Sequence, residues 1–186
     1  MSQATVFSTS CHPDAMARTR RLTLIRHAKA EDPRSAEDHE RALTQNGAAD
    51  ARALGHWLKA QGISPSEVFC STSVRTRETW AGIVEASGIG GLVENDRRIY
   101  LAHPQTLIEV LREASEHTSD LVLVGHSPGV PLLAGLLADG QGDEAALSAL
   151  EDGFPTCTAA VLAVEVDWAD TAPGTARLTA LHTARS

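Results

Sequence analysis

An arginine and a histidine stand side by side at the end of an apolar run, Leu22-Thr23-Leu24-Ile25-Arg26-His27. A second histidine closes the run Asp120-Leu121-Val122-Leu123-Val124-Gly125-His126, and a third run, Glu67-Val68-Phe69-Cys70, leads into Ser71-Thr72-Ser73-Val74-Arg75. A guanidinium is a planar fork of donors suited to phosphate or carboxylate oxygens. An imidazole is a nitrogen nucleophile or base that titrates near neutral pH. Two forks and two imidazoles around one point are the composition that phosphoryl chemistry asks for. The forks hold the non-bridging oxygens, and a protonated imidazole adds charge as the transition state forms. With a net charge of -8 over the whole chain, such an anion site must be a local positive cluster in an acidic surface.

For the three stretches to converge, the apolar runs that precede them must be parallel neighbours, because the carboxyl ends of parallel strands share one side of a sheet. The rest of the chain supplies what a parallel sheet needs. Thr44 is placed to cap a helix reaching about Ala60, with Ala48, Ala51, Leu54 and Leu58 near one face and Gly62 just past its end. Ser71 to Ser73 turn the chain into a second helix through about Ser87, with Val74, Trp80, Ile83 and Val84 as its apolar positions, broken by Gly88 to Gly91. Glu94 to His103 reads as irregular, and Pro104 opens a helix to about Glu116 with Leu107, Ile108 and Leu111 inward. Ser127 and Pro128 start a further helix through Leu137, and Gly140 to Gly142 form a loop. Thr158 to Val166 and Ala176 to His182 read as a hairpin closing the sheet. The expected fold is α/β: a three-layer α/β/α sandwich with a central, mostly parallel (mixed) sheet. Residues 20–186 form a single domain in this reading, and residues 1–19 a flexible N-terminal tail in which Met16 is an alternative start.

Composition narrows the classes. At 186 residues, 42% hydrophobic and 22% charged, the chain suits one globular domain, and with 4% aromatics its core must be built from Ala, Leu, Val and Ile. The acidic balance argues against a nucleic-acid or membrane-surface partner. Cys11, Cys70 and Cys157 are odd in number and widely spaced, which suggests neither a disulfide framework nor a metal site and makes a reducing, cytoplasmic setting the expectation. No apolar run is long enough to span a bilayer, and the first twenty residues contain no apolar secretory core.

Five fragments, in order, resemble the histidine phosphatase superfamily of phosphoglycerate mutase-like fold, and within it the SixA type of phosphohistidine phosphatase. They are Leu24-Ile25-Arg26-His27-Ala28, Asp38 to Arg41 running on to Leu43-Thr44 and Gly47, Ser71 with Arg75 and Thr79, Val124 to Gly129, and Phe154-Pro155-Thr156. The resemblance implies that His27 is the nucleophile, making a phosphohistidine intermediate that water hydrolyses. Arg26, Arg75 and His126 would hold the phosphate oxygens, with Arg41 at the rim. It implies no cofactor and no metal, and neither HExxH nor paired cysteines occur. An imidazole nucleophile needs a neutral tautomer, so an acceptor for its other nitrogen is expected.

Two departures from the family's pattern stand out. Ala28 follows the histidine where many members have glycine. The acid that protonates the leaving group has no clear counterpart: Ser127 stands where acid-phosphatase relatives have Asp, and Asp96 is the candidate only against the plainer reading of a solvated loop carboxylate. A missing acid hurts alkyl phosphates most and favours nitrogen–phosphorus substrates. The expected partner is therefore a signalling or phosphotransfer protein carrying phosphohistidine, with small phosphorylated metabolites as the alternative, and with phosphate or sulfate accepted in the site.

The rival readings are different chemistries. Gly125-His126-Ser127-Pro128-Gly129 fits the G-x-S-x-G nucleophile elbow, with Ser127 attacking an acyl carbon and His182 with Asp167 or Asp170 completing a triad. A non-catalytic phosphate-binding module is the other. Arg77, two positions from Arg75, should point elsewhere. Thr44 and Thr79 read as caps or turn residues, Ser71 is balanced between turn and site, and the remaining histidines read as surface or packing residues.

Overall fold

A computed structural model describes residues 20–34 and 36–186. The tail read at 1–19, Met16 included, lies outside the described residues. Six strands form one sheet: β1 (Arg20–Arg26), β2 (Glu67–Ser71), β3 (Leu92–Asp96), β4 (Asp120–Gly125), β5 (Thr158–Val164) and β6 (Ala176–Thr183), in the order β3-β2-β4-β1-β5-β6. The first four run parallel, and β5 and β6 are antiparallel, so the sheet is mixed as the sequence suggests.

Strand alternation divides the core in two. Leu22 and Leu24 of β1 and Leu121 and Leu123 of β4 face one side, and Ile25, Val122 and Val124 face the other. Burying each such side chain is worth about 1.5–3 kcal/mol, enough to fix the register against a one-residue slip that would turn every one of them over. The helices α1 (Gln45–Ala60) and α2 (Val74–Ser87) cover the second face through Leu54, Leu58 and Ile83. The first is covered by α3 (Pro104–Leu111), α4 (Gly129–Ala138) and α5 (Glu144–Asp152). Thr44 caps α1 as expected, its hydroxyl accepting from Gly47 N at 2.9 Å. Among the described residues no helix is long and apolar enough to cross a membrane.

Four local features differ from the sequence expectation. The stretch expected to be irregular begins with the last residues of β3, an edge strand whose Leu92 and Val93 are 75% and 40% exposed; lacking a buried face, it carries no alternation to read. α3 ends at Leu111, before Glu116. α4 starts at Gly129, two residues after Ser127. α5 is a helix the apolar pattern does not announce, short and capped by Asp143, whose carboxylate accepts from Ala146 N at 2.9 Å.

The mixed topology brings a late segment of the chain to the carboxyl end of β1. Because β5 runs against β1, it begins on the edge where β1, β2 and β4 end, with Ala159 opposite Ile25. The segment Phe154–Cys157 thus arrives beside Arg26 and His27, tied by Cys157 N donating to His27 O at 3.0 Å.

Candidate active site

The β1–β4 register pairs Arg26 with Gly125, so the next residues, His27 and His126, emerge side by side with ring centroids 5.2 Å apart. β2 pairs Cys70 with Val124, which brings Ser71 alongside, and its hydroxyl lies 2.8 Å from His126 Nε2. Arg75, in the first turn of α2 and 2% exposed, places Nη2 at 3.3 Å from His126 Nδ1. Arg26 donates from Nη1 to Phe154 O at 2.7 Å. The four groups that the sequence sets at separate strand ends line one cavity of about 390 Å³, together with Lys29, Arg41, Asp38, Leu101, Ser127 and Thr156.

Hydrogen bonding fixes the state of both rings. His27 Nδ1 lies 2.7 Å from Ala28 O, and a carbonyl only accepts, so Nδ1 carries the proton and Nε2 keeps its lone pair. This is the acceptor expected for the second nitrogen. Burial lowers the His27 pKa to about 4, the Ala28 hydrogen bond working against it and the charges of Arg75, Arg26 and Arg41 working with it. For His126, Arg75 can only donate, so Nδ1 accepts and Nε2–H donates to Ser71. Burial, followed by His27 and Arg75, lowers its pKa to about 3. Both rings are therefore uncharged at neutral pH, whereas the residue types alone suggest a protonated imidazole assisting the transition state.

A backbone clamp holds the segment that carries His27. Thr79 Oγ1, fully buried, accepts from Ala28 N at 3.0 Å and donates to Arg75 O at 2.6 Å, so one hydroxyl links the loop after β1 to α2. Thr79 is more than the cap it reads as. Ser71 likewise belongs to the site, and Arg77 points out to solvent as its position on the helix requires.

The acid found here is Asp38. Its carboxylate accepts from Tyr100 Oη, from Arg75 Nη2 at 3.0 Å and from Arg41 Nε at 3.0 Å. The Tyr100 hydrogen bond, then the charges of Arg75 and Arg41, hold its pKa down to about 2, so it stays ionised. Asp38 has its place in the sequence motif but no role there, and Tyr100 carries no sequence signal, because its position depends on how the stretch after β3 folds back. Tyr100 stands edge-on to His126 at 5.3 Å and to His39 at 5.0 Å, which explains His39 as a packing residue.

Asp96 does not reach the cavity. It ends β3, three strands from β1, which at strand spacing is roughly 14 Å of backbone separation. Its carboxylate accepts from Arg98 N at 2.7 Å and Arg98 Nε at 2.8 Å, capping the turn Arg97–Ile99. The serine-hydrolase triad is not assembled either. Ser127 lines the cavity, but His182 stacks on Trp57 at 4.7 Å, Asp167 pairs with Arg20 at the opposite end of β1, and Asp170 is exposed.

Comparison with known proteins agrees with this geometry. The family model of the Histidine phosphatase superfamily (branch 1) matches residues 22–99, which include His27, Arg41 and Arg75. Rv1276c of Mycobacterium tuberculosis, itself uncharacterized, is 37% identical over 162 residues, 87% of this chain and 100% of that one. The solved structure assigned as phosphohistidine phosphatase SixA from Nakamurella multipartitia is 30% identical, with a TM-score of 0.80 over 90% of this chain and 98% of that one. The protein histidine phosphatase SixA complexed with tungstate is 20% identical and shares the fold, with a TM-score of 0.71 over 88% of this chain and 96% of that one. Two imidazoles and two guanidiniums at adjacent strand ends, in a chain so similar throughout its length, make this protein a phosphatase of the histidine phosphatase superfamily, in its SixA-like group.

Proposed function

We propose that this phosphatase removes the phosphoryl group from phosphohistidine on a signalling or phosphotransfer protein, through an intermediate on His27 and without metal or cofactor. The observation that carries the reading is the His27 ring: uncharged, fixed by Ala28 O at Nδ1, and open to the cavity with its Nε2 lone pair. In the first step Nε2 bonds to phosphorus while the bond from phosphorus to the substrate nitrogen breaks, and the departing imidazole takes up a proton. In the second step water attacks the phosphorylated His27, releasing inorganic phosphate and restoring the free ring. Arg26 and Arg75 hold the non-bridging oxygens, His126 joins them on taking up a proton, and Arg41 adds charge at the rim.

The acids support this choice of substrate class. Asp38 is ionised and Asp96 is elsewhere, so among the described residues lining the cavity no neutral carboxylic acid stands ready to protonate a leaving alkoxide. Phosphohistidine does without one, since its imidazole leaves neutral after protonation from solvent. That a SixA protein of this fold is complexed with tungstate, an oxyanion, supports a phosphate-binding role for the cationic cavity. The buried free thiols of Cys70 and Cys157, both pushed up to about 12 by burial, suit a reducing, cytoplasmic setting.

The test is a trapping experiment with labelled phosphohistidine protein alongside an alkyl phosphomonoester. The expected result is an acid-labile, alkali-stable label on the protein, absent in His27→Ala, with faster turnover of the nitrogen–phosphorus substrate. Label persisting in His27→Ala refutes the mechanism. Faster turnover of the monoester refutes the substrate and favours a small phosphorylated metabolite.

A further inference from the structure

Leu101 combines two features that a folded chain ordinarily avoids. Its backbone is left-handed, with φ of 50°, a region costly for a residue with a branched side chain. Its side chain is 53% exposed and lines the cavity that holds His27 and Arg75. Both neighbours are pinned, so the conformation is imposed from either side. Tyr100 N donates to Arg97 O at 3.1 Å, and the Tyr100 hydroxyl is bound to Asp38. Ala102 O lies so close to Gly129 that a Cβ there would stand 2.1 Å from it. Between these anchors the chain must reverse, and the reversal turns an apolar side chain outward at the mouth of a polar, cationic hollow. A glycine or asparagine would adopt this backbone more easily and would cost no exposed apolar surface.

We propose that Leu101 forms the wall of a leaving-group subsite, packing against the face of a flat aromatic ring attached to phosphorus. Resting on the function proposed above, that group is the imidazole of phosphohistidine. The charged residues of the cavity recognise the phosphoryl half of the substrate, which every phosphate ester or amide shares. Leu101 recognises the other half, and so favours an aromatic leaving group over a compact polar one.

The test compares the full chain with Leu101→Gly, Leu101→Asn and Leu101→Met on two probes, p-nitrophenyl phosphate and phosphoramidate. Only the first offers an aromatic leaving group. The ratio of KM for phosphoramidate to KM for the aryl ester should fall about fivefold in Leu101→Gly and Leu101→Asn, the value of about 40 Å² of apolar contact. Leu101→Met, apolar but unbranched, should restore it to within twofold. Melting temperature should not fall in the glycine and asparagine variants, which are relieved of backbone strain. An unchanged ratio in Leu101→Gly overturns the proposal, as does a loss in Leu101→Met equal to that in Leu101→Gly. Lower melting temperature with equal effects on both probes marks a purely structural residue and also overturns it. Should the wild type hydrolyse the aryl ester and spare phosphoramidate, the nitrogen–phosphorus reading fails while the wall is still tested, with acetyl phosphate as the compact probe.

Discussion

Replacing Thr79 with valine keeps the outline of the side chain and deletes one hydroxyl. That hydroxyl accepts from Ala28 N, far away in sequence, and donates to Arg75 O one turn back on its own helix. Ala28 is fully buried, so its N–H finds no water when Oγ1 is gone. Leaving a buried donor unpaired costs about 1–3 kcal/mol. For a chain of this length that corresponds to a fall in melting temperature of about 4–8 °C around the middle of that range. Activity should suffer separately. Ala28 carries the carbonyl that orients His27, and a loosened segment misplaces Nε2, for which about tenfold in kcat is a modest allowance. Thr79→Ser, which loses only a methyl group, should recover most of both. The assays are thermal unfolding and single-turnover phosphate release from phosphoramidate. A valine variant as stable and as fast as the wild type would refute the clamp.

Acid should destabilise the fold through its two rings. The folded pKa values of His27 and His126, about 4 and about 3, lie below the ordinary 6.5, so the unfolded chain takes up protons first. Their stabilisation is complete above pH 6.5 and is lost as pH falls through 4 and then 3; a melting temperature flat from pH 7 to 4 contradicts this. Tyr100→Phe removes the leading cause of the low Asp38 pKa, so that carboxyl should titrate upward toward its ordinary value in a carbon-13 NMR titration, and an unmoved titration argues against the contact. Gly129→Ala forces a methyl group onto Ala102 O and should cost about 1–3 kcal/mol in a denaturant melt; wild-type stability would show that the close approach is not needed.

The strands legible in this sequence are those covered on both faces, which read as nearly unbroken apolar runs. β1, β2 and β4 announce themselves because nearly all of their residues face one core or the other, and from their parallel pairing the meeting of His27, Arg75 and His126 follows. β3 is hidden because its side chains face water, and α5 because Ala146 is its one fully buried position. The loops fail for another reason. Tyr100 reaches Asp38 only because Ile99 is buried and Ala102 rests on Gly129, contacts that no periodicity encodes. Asp96 is misleading for the converse reason: a carboxylate two residues from an arginine is satisfied locally, and its charge never reaches the site.

Two uncharged rings in a cationic hollow bear on the thermodynamics of anion binding. An arriving oxyanion favours the imidazolium at His126, so proton uptake is the expected companion of phosphate binding. Linkage then makes affinity for phosphate rise on mild acidification, and the heat measured by titration calorimetry differ between buffers of unlike ionisation enthalpy. After hydrolysis the same coupling runs backward: as product departs the proton is shed, and the ring returns to the neutral form that accepts from Arg75.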